Sequence, residues 1–188
     1  HDTIQLELIA QDKISAISEM AEILVKAGVV ELENQKAFEE VIWKREYLNS
    51  TGIGEMIAIP HGMSNLVKKT TVVFARSSEG IDFESLDGKP AHLLFMIATP
   101  ESSDAKHLSI LSELSKMLLN DDVKTALLNA RTEDDVLNAF ESVVVEEAVV
   151  HDDNKPLILG VTGCATGIAH TYMAADRIEK AATDAGYR

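Results

Sequence analysis

The chain has 188 residues and a mass of 20.5 kDa, enough for one good-sized domain or a domain and part of a second. Its formal net charge of −14 argues against a nucleic-acid partner, which needs clustered Lys and Arg, and suits either docking on a basic protein or plain solubility. Hydrophobic residues, at 46%, supply an ordinary core, no run approaches the ~20 apolar residues of a membrane span, and the single cysteine, Cys164, precludes an internal disulfide and fits a reducing cytoplasm.

Residues 12–27 repeat apolar side chains at helical spacing (Ile14, Ile17, Ala21, Leu24) and predict a first helix, with Gly28 where a C-terminal cap belongs. A second helix is predicted over 34–48, carrying Phe38, Val41, Ile42 and Tyr47. After the turn-forming Asn49-Ser50-Thr51-Gly52 come three strand candidates, 56–59, 71–76 and 91–98. The last is nearly all apolar and reads as a central strand buried on both faces. Pro100 ends it, and a helix is predicted over 104–119. Asn120-Asp121-Asp122 and Thr132-Glu133-Asp134-Asp135 read as N-terminal caps of two short closing helices. Strands and helices mixed in this order indicate an α/β domain.

Beyond Phe140 the composition changes. Residues 141–156 include Glu146, Glu147, Asp152 and Asp153, with Lys155 the one basic residue. We read a first domain at 1–142, an acidic linker at 143–156 and the start of a second domain at 157–188. The last segment predicts a strand, a glycine loop and a helix over 166–185. One such β–α unit cannot bury its own sheet, so the expectation is part of a second, parallel α/β domain.

Two places carry chemistry. In Ile57-Ala58-Ile59-Pro60-His61-Gly62 the apolar run suits a buried strand, Pro60 stiffens its exit, and Gly62 permits a tight turn beside the imidazole. A lone histidine is more often structural than reactive, but His61 has company. Arg45 lies near the end of the second predicted helix, and His107 lies on the first turn of the helix after the central strand. Sites in α/β sheets gather at strand ends and helix N-termini, so His61, His107 and Arg45 are candidates to converge on one anion. A zinc site made of His61, His107 and Glu55 is chemically conceivable, but Arg45 would repel the cation. His92 reads as a hydrogen-bonded core or edge histidine, and His151 as a solvated residue of the linker.

Residues 3–142 resemble the cytoplasmic A component (EIIA) of the bacterial sugar phosphotransferase system, in its fructose–mannitol family. The resemblance rests on Arg45-Glu46 ahead of Ser50-Thr51-Gly52-Ile53-Gly54-Glu55, on Ile57 to Gly62, and on Lys106-His107-Leu108. It implies a mixed β-sheet flanked by helices and a phosphotransferase component without a metal or organic cofactor. It further implies that His61 accepts a phosphoryl group from the phosphorylated carrier protein HPr (phospho-HPr). Neutral imidazole is a competent nucleophile near neutral pH. Arg45 would hold the phosphoryl oxygens with its fork of N–H donors, and His107 would donate a further hydrogen bond. Glu55 also matches the pattern, as a support for the site or as a structural acid; both readings stay open.

The second place is Gly160-Val161-Thr162-Gly163-Cys164-Ala165-Thr166-Gly167, which follows the apolar run 157–159 and opens the last predicted helix. A thiol at a helix N-terminus gains thiolate character, and the same N–H groups can cradle a phosphate; the bland alternative is an inert buried cysteine. Residues 163–175 resemble the opening of a fructose-type B component (EIIB) of the same system, with Ala165 where that family usually has proline. The resemblance implies that Cys164 takes the phosphoryl group from His61, with Ala165, Thr166, Gly167 and His170 around the phosphate. A cysteine phosphatase would close its cradle with arginine, whereas His170 occupies that position here. The expected function is a relay from phospho-HPr through His61 to Cys164 of a complete EIIB domain, and on to a sugar, with fructose favoured. It would operate in the cytoplasm, tethered to the inner membrane by an EIIC domain. The alternative is a regulatory phosphoacceptor of the nitrogen-related type, which binds other proteins.

Overall fold

The computed structural model describes residues 1–141, 160, 162 and 168–187. Helix α1 (Lys13–Lys26) starts at a capping box: the Asp12 carboxylate accepts from the Ser15 N–H, and the Ser15 hydroxyl accepts from the Asp12 N–H. It ends at Gly28, whose φ of +67° is the left-handed conformation that lets the chain leave a helix. Ile17, Ala21 and Leu24 are buried as expected, but Ile14 points to solvent, 68% exposed. A 3-10 turn (Leu32–Asn34) leads into α2 (Gln35–Leu48), which buries Phe38 and Ile42 and leaves Tyr47 exposed. Periodicity identifies the buried stripe of each helix; Ile14 lies in the first turn of α1, and Tyr47 on the solvent side of α2.

The described strands form one mixed sheet in the order β1-β5-β6-β3-β2, with β4 also paired to β6. These are β1 (Ile4–Gln5), β2 (Gly52–Gly54), β3 (Ile57–Ala58), β4 (His61–Met63), β5 (Thr71–Ile81) and β6 (Ala91–Thr99). Strand β6 is central. It runs antiparallel to β5 and parallel to both β3 and β4. Its side chains alternate between two cores, as a strand buried on both faces requires. Leu94, Met96 and Ala98 join the core under α1 and α2. Leu93, Phe95 and Ile97 join the core under α3 (Asp104–Met117), α4 (Asp121–Asn129) and α5 (Glu133–Glu141). Helices therefore flank both faces of a mixed sheet. The Asn120 side chain caps α4 by accepting from Asp122 and Val123, and the Thr132 hydroxyl accepts from the Asp135 N–H at the start of α5.

Three local features differ from the sequence expectation. The chain does not turn away after Pro60: β4 resumes alongside β6, with His61 opposite Ile97. Proline lacks an N–H, so the pairing is interrupted, but its carbonyl still accepts from Ile97 at 3.0 Å. Gly62, accordingly, serves close packing and not a turn, since a Cβ there would lie 3.0 Å from both Val41 Cγ1 and Ile42 Cδ1 on α2. Residues 52–54 form β2, hairpin-paired to β3 through Glu55 (φ +52°) and Met56 (φ +67°). That left-handed pair is the primed turn whose twist suits a hairpin, here built without glycine at either central position.

Of the second segment, α6 (Ile168–Asp184) is described, close to the predicted 166–185. It packs against α3, and Arg177 Nη2 lies 3.0 Å from Glu55 Oε1. The expected linker at 143–156 and strand at 157–159 lie outside the described residues. No helix among the described residues is long and apolar enough to cross a membrane.

Candidate functional site

The parallel pairing of β4 with β6 places His61 beside the end of the central strand, and the helix that follows that strand returns His107 to the same point. The two rings lie 5.5 Å apart, centroid to centroid, tilted by 47°. From the other face of the sheet, α2 delivers Arg45, whose Nε donates to His61 Nε2 at 3.0 Å. The guanidinium is steadied by a second bond, from Nη1 to the Asn49 carbonyl at 2.9 Å. The sequence-predicted trio of His61, Arg45 and His107 is thus assembled from three elements.

Hydrogen bonding fixes the state of the His61 ring. Arginine is always a donor, so Nε2 must present its lone pair to Arg45. The proton then sits on Nδ1, which donates to the Ile59 carbonyl at 2.7 Å. Burial, opposed by the Ile59 carbonyl and reinforced by the charges of Arg45 and His107, lowers the His61 pKa to about 4. At neutral pH the imidazole is therefore neutral, with its unprotonated nitrogen directed at a guanidinium. That is the arrangement of a nucleophile beside an anion receptor.

Two contributors escaped the sequence reading. Thr99, fully buried at the end of β6, places Oγ1 3.0 Å from His107 Nδ1, and His107 is itself buried. The Ile59 carbonyl sets the tautomer of His61. A threonine closing a strand that is apolar but for His92, eight residues before a histidine, was the available signal for the first. The second is a backbone group with no side-chain signature.

Glu55 is placed differently. Its carboxylate accepts from Lys124 Nζ at 2.6 Å and Arg177 Nη2 at 3.0 Å, and Lys124 is almost fully buried. The bond from Lys124, with Arg177 adding to it, holds the carboxyl below the ordinary glutamate range. The Glu55 carboxylate thus joins α4 to α6. Among the described residues no group of three or more His, Cys, Asp and Glu gathers in a way that could hold a metal ion. His92 bonds the Ser77 carbonyl through Nδ1 at 2.9 Å, as a half-buried structural histidine does. Cys164, Ala165, Thr166, Gly167 and His151 lie outside the described residues, and of His170 only the backbone, in α6, is described.

Comparison with known proteins gives the family of the chain. Residues 1–143 match the family described as phosphoenolpyruvate-dependent sugar phosphotransferase system, EIIA 2. Residues 159–188 match the family described as PTS system, lactose/cellobiose specific IIB subunit. The chain is 44% identical over 192 aligned positions to the PTS system fructose-specific EIIABC component of Bacillus subtilis, covering 98% of this chain but 30% of that protein's length. It is 41% identical to the fructose-specific EIIA component of Haloferax volcanii, over 76% of this chain and 92% of the relative. Among solved structures, the nitrogen regulatory protein IIA-Ntr of Neisseria meningitidis superposes with a TM-score of 0.68 at 29% identity, over 74% of this chain and 93% of that one. The IIAMtl of Escherichia coli, solved in complex with phosphorylated IIBMtl, gives 0.64 at 31% identity, over 75% of this chain and 95% of that one.

Proposed function

The chain belongs to the EIIA type 2 family of the phosphoenolpyruvate-dependent sugar phosphotransferase system, and from that premise we propose that His61 is the phosphoryl acceptor of a relay from phospho-HPr to Cys164 of the attached IIB segment. The observation that carries this reading is the pair of bonds on one ring: Nδ1–H to the Ile59 carbonyl and Arg45 Nε–H to Nε2. Attack runs through the Nε2 lone pair. The new P–Nε2 bond forms as the bond between phosphorus and the donor breaks, and the donor leaves with that electron pair. Nδ1 keeps its proton throughout, so the acceptor requires no base.

Arg45 must exchange its lone-pair contact for the arriving phosphoryl oxygens. It can do so without leaving, because Nη1 stays on the Asn49 carbonyl. Its fork then neutralises charge on the group being transferred, which is where phosphoryl transfer is catalysed. Thr99 holds His107 by Nδ1, so Nε2 is the nitrogen that serves the phosphoryl group. The second step is the reverse at His61: Cys164 thiolate attacks phosphorus and the imidazole leaves. The relative solved as a IIA–phosphorylated IIB complex supports such a partner.

We assign the relay to sugar uptake, with fructose as the substrate suggested by the fructose-specific names of two relatives. The chain spans 30% of the length of the EIIABC relative, and we propose a membrane EIIC component as the place where sugar is chosen. A regulatory role, favoured by the likeness to IIA-Ntr, is the second reading; the IIB match at 159–188 weighs against it.

Intact-mass analysis after incubation with phospho-HPr tests the assignment. The expected result is one acid-labile phosphoryl group, absent in His61→Ala and retained in Cys164→Ser. An unlabelled wild-type chain, with the donor demonstrably active, would overturn it.

A further inference from the structure

Beneath the site lies an ion pair that the transfer chemistry does not touch. Lys13 Nζ, at the start of α1, sits 2.5 Å from Glu46 Oε1 on α2, and Glu46 is only 5% exposed. Lys13 is also held by Glu84 at 2.9 Å and by the Phe83 carbonyl at 3.3 Å. Placing two charges under cover is costly, and an apolar pair would join α1 to α2 as well. The stability of the helix pair alone does not account for them.

The carboxylate has a second task. Both Glu46 oxygens accept from the Thr51 N–H, each at 3.1 Å. The Thr51 carbonyl accepts from the Ile59 N–H at 2.9 Å, and the Ile59 carbonyl accepts from His61 Nδ1 at 2.7 Å. A series of hydrogen bonds, joined through the backbone of Thr51 and Ile59, thus runs from Lys13 to the reactive ring. Arg45, the residue before Glu46, meets the other ring nitrogen. Two consecutive residues of α2 therefore govern the two nitrogens of His61, one directly and one through the loop.

We propose that Glu46, fixed by Lys13, is a positioning residue for phosphoryl transfer: by pinning the Thr51 N–H it holds the Ile59 carbonyl on His61 Nδ1 and keeps Nε2 as the nucleophile. The inference rests on the reading of His61 as phosphoryl acceptor. It explains why the loop between α2 and β2 is tied to a buried acceptor on α2. A flexible loop would let the Ile59 carbonyl drift, leaving the Arg45 bond to keep the proton off Nε2, where it would block attack, without its counterpart at Nδ1.

The test compares two double variants that both remove the ion pair. Lys13→Met/Glu46→Gln keeps an acceptor for Thr51; Lys13→Met/Glu46→Leu packs the same space without one. The tautomer of His61 is read by nitrogen-15 NMR on the unphosphorylated chain, and transfer from phospho-HPr by rapid quench. The Gln pair is expected to keep the Nδ1–H form and a kcat within ~3-fold of wild type. The Leu pair is expected to give mixed tautomers and a kcat lower by ~10–100-fold, with KM for phospho-HPr unchanged, as loss of positioning requires. Should the Leu pair not fold, Lys13→Met/Glu46→Asn, one methylene short of Thr51, replaces it with the same expectation. Equal tautomers and equal rates in the two pairs, with a phosphorylated wild type, would overturn the positioning role. A wild type that holds the Nδ1–H form but takes no phosphate would instead overturn the relay.

Discussion

Arg45 donates to His61 Nε2 at 3.0 Å, so the strongest anion receptor of the site rests on the atom proposed to carry the anion. Before transfer the guanidinium holds the lone pair in place and helps keep the ring unprotonated. In the proposed relay the same fork then faces the phosphoryl oxygens. Arg45→Ala is expected to slow phosphoryl acceptance by ~10²–10³, the usual loss when a charged donor to the transition state is removed. Arg45→Lys should recover only part of this, because an ammonium is a point charge and cannot offer two parallel bonds. Rapid-quench transfer from labelled HPr measures both; equal rates for wild type and Arg45→Ala would place phosphoryl binding elsewhere.

The depressed pKa of His61, about 4, makes a prediction for pH. Since the ring is already neutral, acceptance should be flat on its acid side from pH 8 down to about pH 5, and fall only as pH approaches 4. Stability follows with a definite sign. Between the unfolded value near 6.5 and the folded value near 4, the unfolded chain binds a proton that the folded chain does not. Stability is therefore lost as pH falls through that window and is fully present above it. The contribution is about 2–3 kcal/mol once the ring's partial contact with water is allowed for. Urea unfolding of wild type and His61→Gln at pH 7.5 and 4.5 isolates it, and the wild type should lose more on acidification.

Thr99 and His107 are both buried and bonded to each other at 3.0 Å. Thr99→Val keeps the shape and removes the hydroxyl bonded to the ring nitrogen, at a cost of about 1–3 kcal/mol. Thr99→Ser keeps the hydroxyl and should lose less. If His107 serves the phosphoryl group through Nε2, transfer slows in Thr99→Val and recovers in Thr99→Ser. Denaturant midpoints and transfer rates measured on the same samples separate the two effects.

Gly62 tests the packing between β4 and α2. A methyl group there would press on Val41 Cγ1 and Ile42 Cδ1 at 3.0 Å each. Gly62→Ala should cost about 1–3 kcal/mol by overpacking. It should also slow transfer, because the strand that carries His61 is pushed from the helix that carries Arg45. Unchanged melting and unchanged rate would show that the helix yields freely.

Much of this was legible before the fold. The apolar run 91–98, with no polar interruption except His92, announced a strand buried on both faces, and β6 is that strand. Asn120 and Thr132 marked helix starts because a capping oxygen needs only a partner two or three residues away. His61 stood out because proline and glycine flank it, and Arg45 and His107 because their motifs resemble those of a known family. By contrast, the continuation of the sheet past Pro60 was hidden, since a proline in a short run argues against a strand unless its carbonyl alone is used.

The sequence by itself singled out the candidate residues and the helices and strands that deliver them, because those signals are local: periodicity, caps and short motifs. Only the tertiary structure decided the state and partners of each group. The tautomer of His61, the Thr99–His107 bond, the chain from Lys13 through Glu46 to Ile59, and the pairing of Glu55 with Lys124 and Arg177 all join residues distant in sequence. A hydrogen bond across the fold leaves no period in the chain, since its two ends are brought together by packing against the same sheet.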